Sequence, residues 1–74
     1  MYKLEDFKEG QVWVVGWQHM PDFVCTIRKS FFNEHVVVVR LSNEMDHYLE
    51  PGNFKKFLGD NLESAQENNS CYFV

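Results

Sequence analysis

Cationic side chains and long apolar runs are scarce in this sequence, and each shortage counts against a class of function. Seven Lys and Arg stand against eleven Asp and Glu, which gives a formal net charge of -4. A chain with this balance has no long-range positive field to gather nucleic acid or anionic lipid. Unbroken apolar runs are only a few residues long, far short of the roughly 20 that span a bilayer. We therefore expect no membrane anchor, and net charge disfavours nucleic acid as a partner.

Metal-binding and catalytic patterns are also missing. Cys25 and Cys71 lie far apart, and the three histidines form no H-x-x-x-H pair. Neither spacing places two ligands on one ion. No glycine-rich phosphate loop or nucleophile elbow occurs, and a domain of this size encloses a water-excluded site poorly. The sequence predicts buried thiols, no metal, no cofactor, no small-molecule substrate and no enzymatic activity.

The first residues, Met1 to Phe7, are rich in charge and contain no long apolar run. A secretory signal needs such a run followed by a small-residue cleavage site. We expect a cytoplasmic protein.

Two valine-rich segments organise what is present. They run from Gln11 to Trp17 and from His35 to Leu41. β-branched and aromatic side chains fit a pleated surface and lose rotamer freedom in a helix, so both segments favour strand. Alternation of apolar and polar residues predicts two further strands, Phe23 to Lys29 and Met45 to Glu50.

The C-terminal third predicts short helical pieces. Apolar residues from Phe54 to Leu58 recur at i, i+3 and i+4, which indicates one helical turn. Asp60, followed by Glu63, resembles a capping box and predicts a short helix from Asn61 to Glu67. The last residues, Cys71 to Val74, are apolar enough for a closing strand or a docked tail.

Four or five short strands with a helical turn and a short C-terminal helix favour a mostly β fold. We predict a small SH3-like antiparallel barrel, because closing the sheet removes edges that a small chain protects poorly. The alternative is an open antiparallel sheet with one covering helix. With 74 residues the chain forms a single domain, its barrel spanning about 8-58 and a C-terminal extension 59-74.

Both long strands are apolar on both faces. If Trp13 and Val15 point into the barrel, Val14 points out, and the same alternation places Val36 and Val38 outside. Something must cover this second face. Either the C-terminal helix or tail packs over it, or another chain does, as a homodimer or as a different protein.

Loop aromatics and Met residues form a second candidate surface, because such side chains dominate binding hot spots. The predicted protein-binding residues of the two surfaces are Trp17, His19, Met20, Phe31, Phe32, Val36 and Val38. Nucleic-acid binding would instead use basic residues beside aromatics. The candidates for that alternative are Arg28, Lys29, Lys55 and Lys56.

The run Lys8-Glu-Gly-Gln-Val-Trp, the valine-rich strand and the Tyr48-Leu-Glu-Pro closing segment resemble small phage and prophage proteins that open on Gly-Gln-x-Trp. They are also similar to SH3-like and Tudor-like barrels, over about residues 8 to 58. The resemblance implies that Trp13 lies in the core and that Phe54 to Leu58 lies at the closure of the barrel, where the turn before the last strand is often helical. It further implies that the protein binds and inhibits or redirects a host protein in the host cytoplasm.

The leading hypothesis is thus a non-enzymatic protein-protein interaction module, specifically a phage-encoded modulator or inhibitor of a host protein. One alternative is a nucleic-acid-binding or transcription-associated SH3-like barrel. The other is an obligate homodimer whose interface is the second sheet face.

Overall fold

A computed structural model describes residues 2–29, 36–41 and 45–73. Five strands form one antiparallel sheet in the order β4-β3-β2-β1-β5. They are β1 (Val12–Val15), β2 (Phe23–Lys29), β3 (Val37–Arg40), β4 (Asp46–Leu49) and β5 (Phe54–Gly59). Helix α1 (Leu62–Asn68) follows, and 3₁₀ turns lie at Leu4–Asp6, Pro51–Asn53 and Ser70–Tyr72. The mostly β class predicted from the sequence is confirmed.

Strand β1 pairs with β2 on one side and with β5 on the other. Trp13 lies opposite Cys25 of β2 and opposite Phe57 of β5. The strand ends at Val15, where the Gly16 N–H donates to the Asn53 carbonyl at 3.0 Å. A Cβ at Gly16 would overlap the ends of the Asp22 and Lys55 side chains, so a larger residue here would require this exposed ion pair to shift.

The inner face of the sheet holds the main core. The sheet curls so that Leu49 of β4 and Phe54 of β5, which belong to opposite edge strands, meet in one cluster with Phe7 and Trp13. The centre of the Trp13 ring lies 5.1 Å from the centre of the Phe7 ring and 5.6 Å from that of Phe54. Its indole N–H donates to Gln11 at 3.0 Å, so the buried polar atom is satisfied. The predicted inward orientation of Trp13 is confirmed.

The outer face carries a smaller core under α1. Val12 and Val14 of β1 pack with Leu58 of β5 and Ala65 of α1, and Phe73 lies against them. The helix lies close to β5 at Gly59. A Cβ at this position would lie only 2.7 Å from the Ala65 nitrogen. The C-terminal helix and tail thus cover the β1 and β5 part of the second face.

Two local predictions need correction. Phe54 to Leu58 is strand β5, and the 3₁₀ turn lies just before it, because Pro51 supplies a preset φ at the start of that turn. Register shifts in the β1–β5 pairing, and not a helical stripe, produce the spacing of the apolar residues. The cap of α1 is Asn61, whose side chain accepts from the Ser64 N–H at 2.8 Å; it is not Asp60.

The C-terminal tail is a docked segment and not a closing strand. Residues Ser70–Tyr72 make a 3₁₀ turn, and Phe73 packs on the outer face. Over the described ranges, no helix has the length and apolarity needed to cross a bilayer.

Candidate functional site

A groove lies beside α1, where the outer face is not covered. It runs between strands β2 and β3 on one side and the C-terminal segment on the other, with a volume of about 530 Å³. This is within the size range of ligand clefts in proteins. Its apolar walls are formed by Val24, Leu41, Leu62, Tyr72 and Phe73. Among the described elements, α1 and the tail pack over β1 and β5 and leave the groove open beside them.

Three polar side chains complete the lining, namely Thr26, Arg28 and Arg40. Thr26 and Arg40 are partners across the β2–β3 pair, so the polar groups lie along one border. Arg28 is exposed, and its guanidinium takes part in no hydrogen bond or ion pair with any described residue. A planar group with five donors is therefore available at the groove.

Arg40 has one ion-pair partner. Its Nε lies 3.2 Å from Oδ1 of Asp46, and the two side chains are 39% and 42% exposed. A pair this exposed stabilises the fold by about 1 kcal/mol at most, because water and salt screen it. Its terminal NH₂ groups carry four further donors, so Arg40 can bind a second acceptor without losing Asp46.

Tyr72 contacts a cation from strand β5. The Lys56 ammonium lies 5.4 Å from the centre of the Tyr72 ring, a cation–π arrangement. Tyr72 remains 41% exposed and Leu62 49% exposed. Large apolar side chains exposed on the same groove are typical of a contact surface.

The turn between β1 and β2 holds three of the predicted protein-binding residues. Trp17 is half-buried and packs on the inner core, with its ring 6.0 Å from Phe23. His19 and Met20 are exposed, and His19 has a φ of 70°, which non-glycine residues adopt at a cost. The turn therefore offers one exposed apolar side chain, Met20, rather than an aromatic cluster.

The other described candidates lie in strand β3 and directly before it. Val36 is half-buried, and Val38 is 7% exposed, which leaves little of it for a partner to contact. Phe31 and Phe32 lie outside the described residues.

The four basic candidates separate into different environments. Arg28 lines the groove, and Lys29 follows it as an exposed residue. Lys55 pairs with Asp22 at 2.8 Å, while Lys56 contacts Tyr72. The structure thus brings Arg28 and Lys56 to the groove region and ties Lys55 to the β1–β2 turn.

Residues that sequence reasoning did not select also line the groove. Arg40 alternates with Val36 and Val38 along β3, so its outward position was readable from the pattern. Leu62 and Tyr72 carried no such signal, because their position depends on where α1 and the tail dock.

A second hollow of about 510 Å³ borders the inner core near the N-terminus. It is lined by Tyr2, Asp6, Gln11, Trp13, Phe57 and Asp60. Most of these side chains already have structural partners: Gln11 accepts from Trp13, and Asp6 accepts from the Lys3 N–H at 2.8 Å. The residues that line this hollow therefore serve mainly to hold the fold together.

The thiol of Cys25 is unsuited to nucleophilic chemistry. Burial raises its pKa from 9.0 to about 12, so the thiolate is scarce at neutral pH. Among the residues that the structure describes, no group of three His, Cys, Asp or Glu side chains comes together in a way that could hold a metal ion.

Comparisons of the chain with models of known protein families, with curated proteins and with solved structures found no match.

Proposed function

We propose that this chain is a non-enzymatic module that binds another protein, and that the outer-face groove receives the partner. The observation that carries the proposal is the composition of the groove. It combines exposed apolar side chains, Leu62 and Tyr72, with an arginine, Arg28, that has no partner among the described residues. Tyrosine and arginine are enriched among the residues that dominate protein interfaces.

The groove is more suitable for this role than the β1–β2 turn. Its walls come from a sheet and from a docked tail, so the contact surface is held on packed elements. The turn presents Met20 alone as a large exposed apolar side chain. A role as a phage-encoded modulator of a host protein is a narrower proposal, and it depends only on the resemblance of short motifs.

The test is a pull-down with the tagged full-length chain and two matched variants. Tyr72→Ser removes an exposed ring from the groove, and Met20→Ser removes an exposed apolar side chain from the turn. We expect a protein that the wild-type chain and Met20→Ser retain and that Tyr72→Ser loses. The captured protein, once purified, should bind Tyr72→Ser about tenfold more weakly or worse in calorimetry.

Other outcomes would contradict the proposal. Loss of capture with Met20→Ser alone would place the contact at the turn. Recovery of nucleic acid without a protein would favour the nucleic-acid alternative. A dimer in light scattering that Tyr72→Ser dissociates would make the groove a self-interface. Circular dichroism of each variant controls for loss of fold.

A further inference from the structure

We propose that the segment bound in the groove is an acidic peptide, with a carboxylate on Arg28 and an apolar side chain against Leu62 and Tyr72. This inference rests on the proposed function and adds the chemistry of the partner. It follows from the distribution of charge around the groove, taken with the charge of the whole chain.

Two arginines bring positive charge to the groove. Arg28 and Arg40 line the same groove, and Asp46 is the one carboxylate paired with either of them among the described residues. The border of the groove therefore keeps a surplus positive charge. An arginine fork binds a carboxylate through two parallel hydrogen bonds, which are stronger than bonds between neutral groups.

The groove also has an apolar wall. Leu62 and Tyr72 are both exposed, and Phe73 lies beside Tyr72 in the same lining. Burying an aliphatic or aromatic side chain against them removes apolar surface from water on both partners. A purely charged segment would leave this wall exposed, so we expect at least one apolar residue next to the acidic one.

The net charge of the chain favours an acidic peptide over a nucleic acid. Eleven acidic residues and a net charge of -4 repel a long polyanion over the whole surface. A short acidic peptide meets only the local field of Arg28 and Arg40, because charges beyond about 10 Å are screened at moderate salt. The groove therefore favours a few carboxylates over a phosphate backbone.

The experiment titrates the full-length, isotope-labelled chain with a short peptide of alternating Glu and Leu, followed by NMR. The matched control peptide has Gln in place of each Glu. We expect shifts at Arg28, Thr26 and Tyr72 with the acidic peptide and weaker shifts with the control. Affinity should fall as salt is raised, since the arginine contacts are partly exposed.

Two charge-matched variants complete the design. Arg28→Gln removes one of the two cations in the groove lining, the one without an ion-pair partner among the described residues, and Lys8→Gln removes an exposed cation outside that lining. Arg28→Gln should weaken binding of the acidic peptide about three- to tenfold, and Lys8→Gln should leave it unchanged. Equal weakening by both variants would indicate a non-specific charge effect and would overturn the inference.

The outcomes distinguish this inference from the proposed function. No binding of the acidic peptide, together with a protein captured in a Tyr72-dependent way, overturns the acidic chemistry and leaves the protein-binding function. Tighter binding of a single-stranded oligonucleotide, weakened by Arg28→Gln, overturns both. Preference for the Gln peptide overturns the role of Arg28 alone.

Discussion

The described residues line two hollows of nearly equal volume, one of about 530 Å³ on the outer face and one of about 510 Å³ beside the inner core. They have opposite charge: the outer groove carries Arg28 and Arg40, and the inner hollow carries Asp6 and Asp60. Volume alone does not separate a binding site from a gap in packing.

What separates them is whether the lining residues are already needed by the fold. In the inner hollow, Trp13 is a core residue held by Gln11, and its ring lies 4.7 Å from that of Tyr2. In the groove, Arg28 has no partner among the described residues and Leu62 is half exposed. Side chains that contribute little to stability are those that remain available for a partner.

The largest expected effect tests this contrast by truncation. Phe7→Ala should lower the free energy of unfolding by about 3–5 kcal/mol, because it leaves a cavity in the inner core. Phe7 is 1% exposed and contacts the rings of Tyr2, Trp13 and Phe54. Leu62→Ala, in the groove, should cost under about 1 kcal/mol. Urea denaturation of both variants measures the difference, and similar losses would show that the groove wall is part of the structural core.

The next effect concerns Cys25, whose thiol lies in the inner core. The pKa of this thiol is raised from 9.0 to about 12 in the folded chain, so the unfolded chain loses the proton first. The stabilisation is fully present below pH 9 and declines by about 1.4 kcal/mol per pH unit as the pH rises toward 12.

Denaturation of the wild-type chain and Cys25→Ala as a function of pH isolates this contribution, because both share every other titrating group. We expect the wild-type chain to lose stability above pH 9 more steeply than the variant. Parallel curves would contradict a buried thiol. Cys71 is exposed, so a thiol reagent should label it in the native state and reach Cys25 only on unfolding.

A smaller effect tests how α1 covers the outer face. Gly59→Ala places a Cβ 2.7 Å from the Ala65 backbone nitrogen, so helix and sheet must separate. We expect a loss of about 1–3 kcal/mol and altered NMR shifts along the groove. Gly52→Ala is the control, since nothing lies within 4 Å of its new Cβ. If the two variants behave alike, α1 does not hold the groove in shape.

Much of the fold was predictable from the sequence, and the physical reason differs between elements. Strand β2 was predicted with its observed bounds, because Phe23–Lys29 alternates and is flanked by turn residues. Strand β5 was missed, because its register shifts against β1 disguise the alternation as a helical spacing.

The groove was less predictable than the strands. Arg28 was selected for its aromatic sequence neighbours, yet among the described residues the rings that line the groove with it are those of Tyr72 and Phe73, far along the chain. A contact of that kind depends on tertiary docking of the tail, which no local pattern encodes. Sequence alone therefore suggested the second apolar face but not the groove that remains open on it.

The smallest effect concerns the β1–β2 turn, the rival contact surface. His19 has a φ of 70°, a left-handed conformation that glycine adopts without strain, while the Met20 N–H closes the turn onto the Trp17 carbonyl at 3.2 Å. His19→Gly should therefore stabilise the chain by up to about 1 kcal/mol, in contrast to Gln18→Gly, which gains flexibility without relieving strain. Thermal unfolding measures the change, and the peptide titration measures whether binding follows it.

If His19→Gly raises stability and leaves binding unchanged, the strain belongs to the turn alone and the groove stands as the separate contact surface. If binding falls instead, the strained turn is part of the site, and the division between a structural region and a binding region must be redrawn around it.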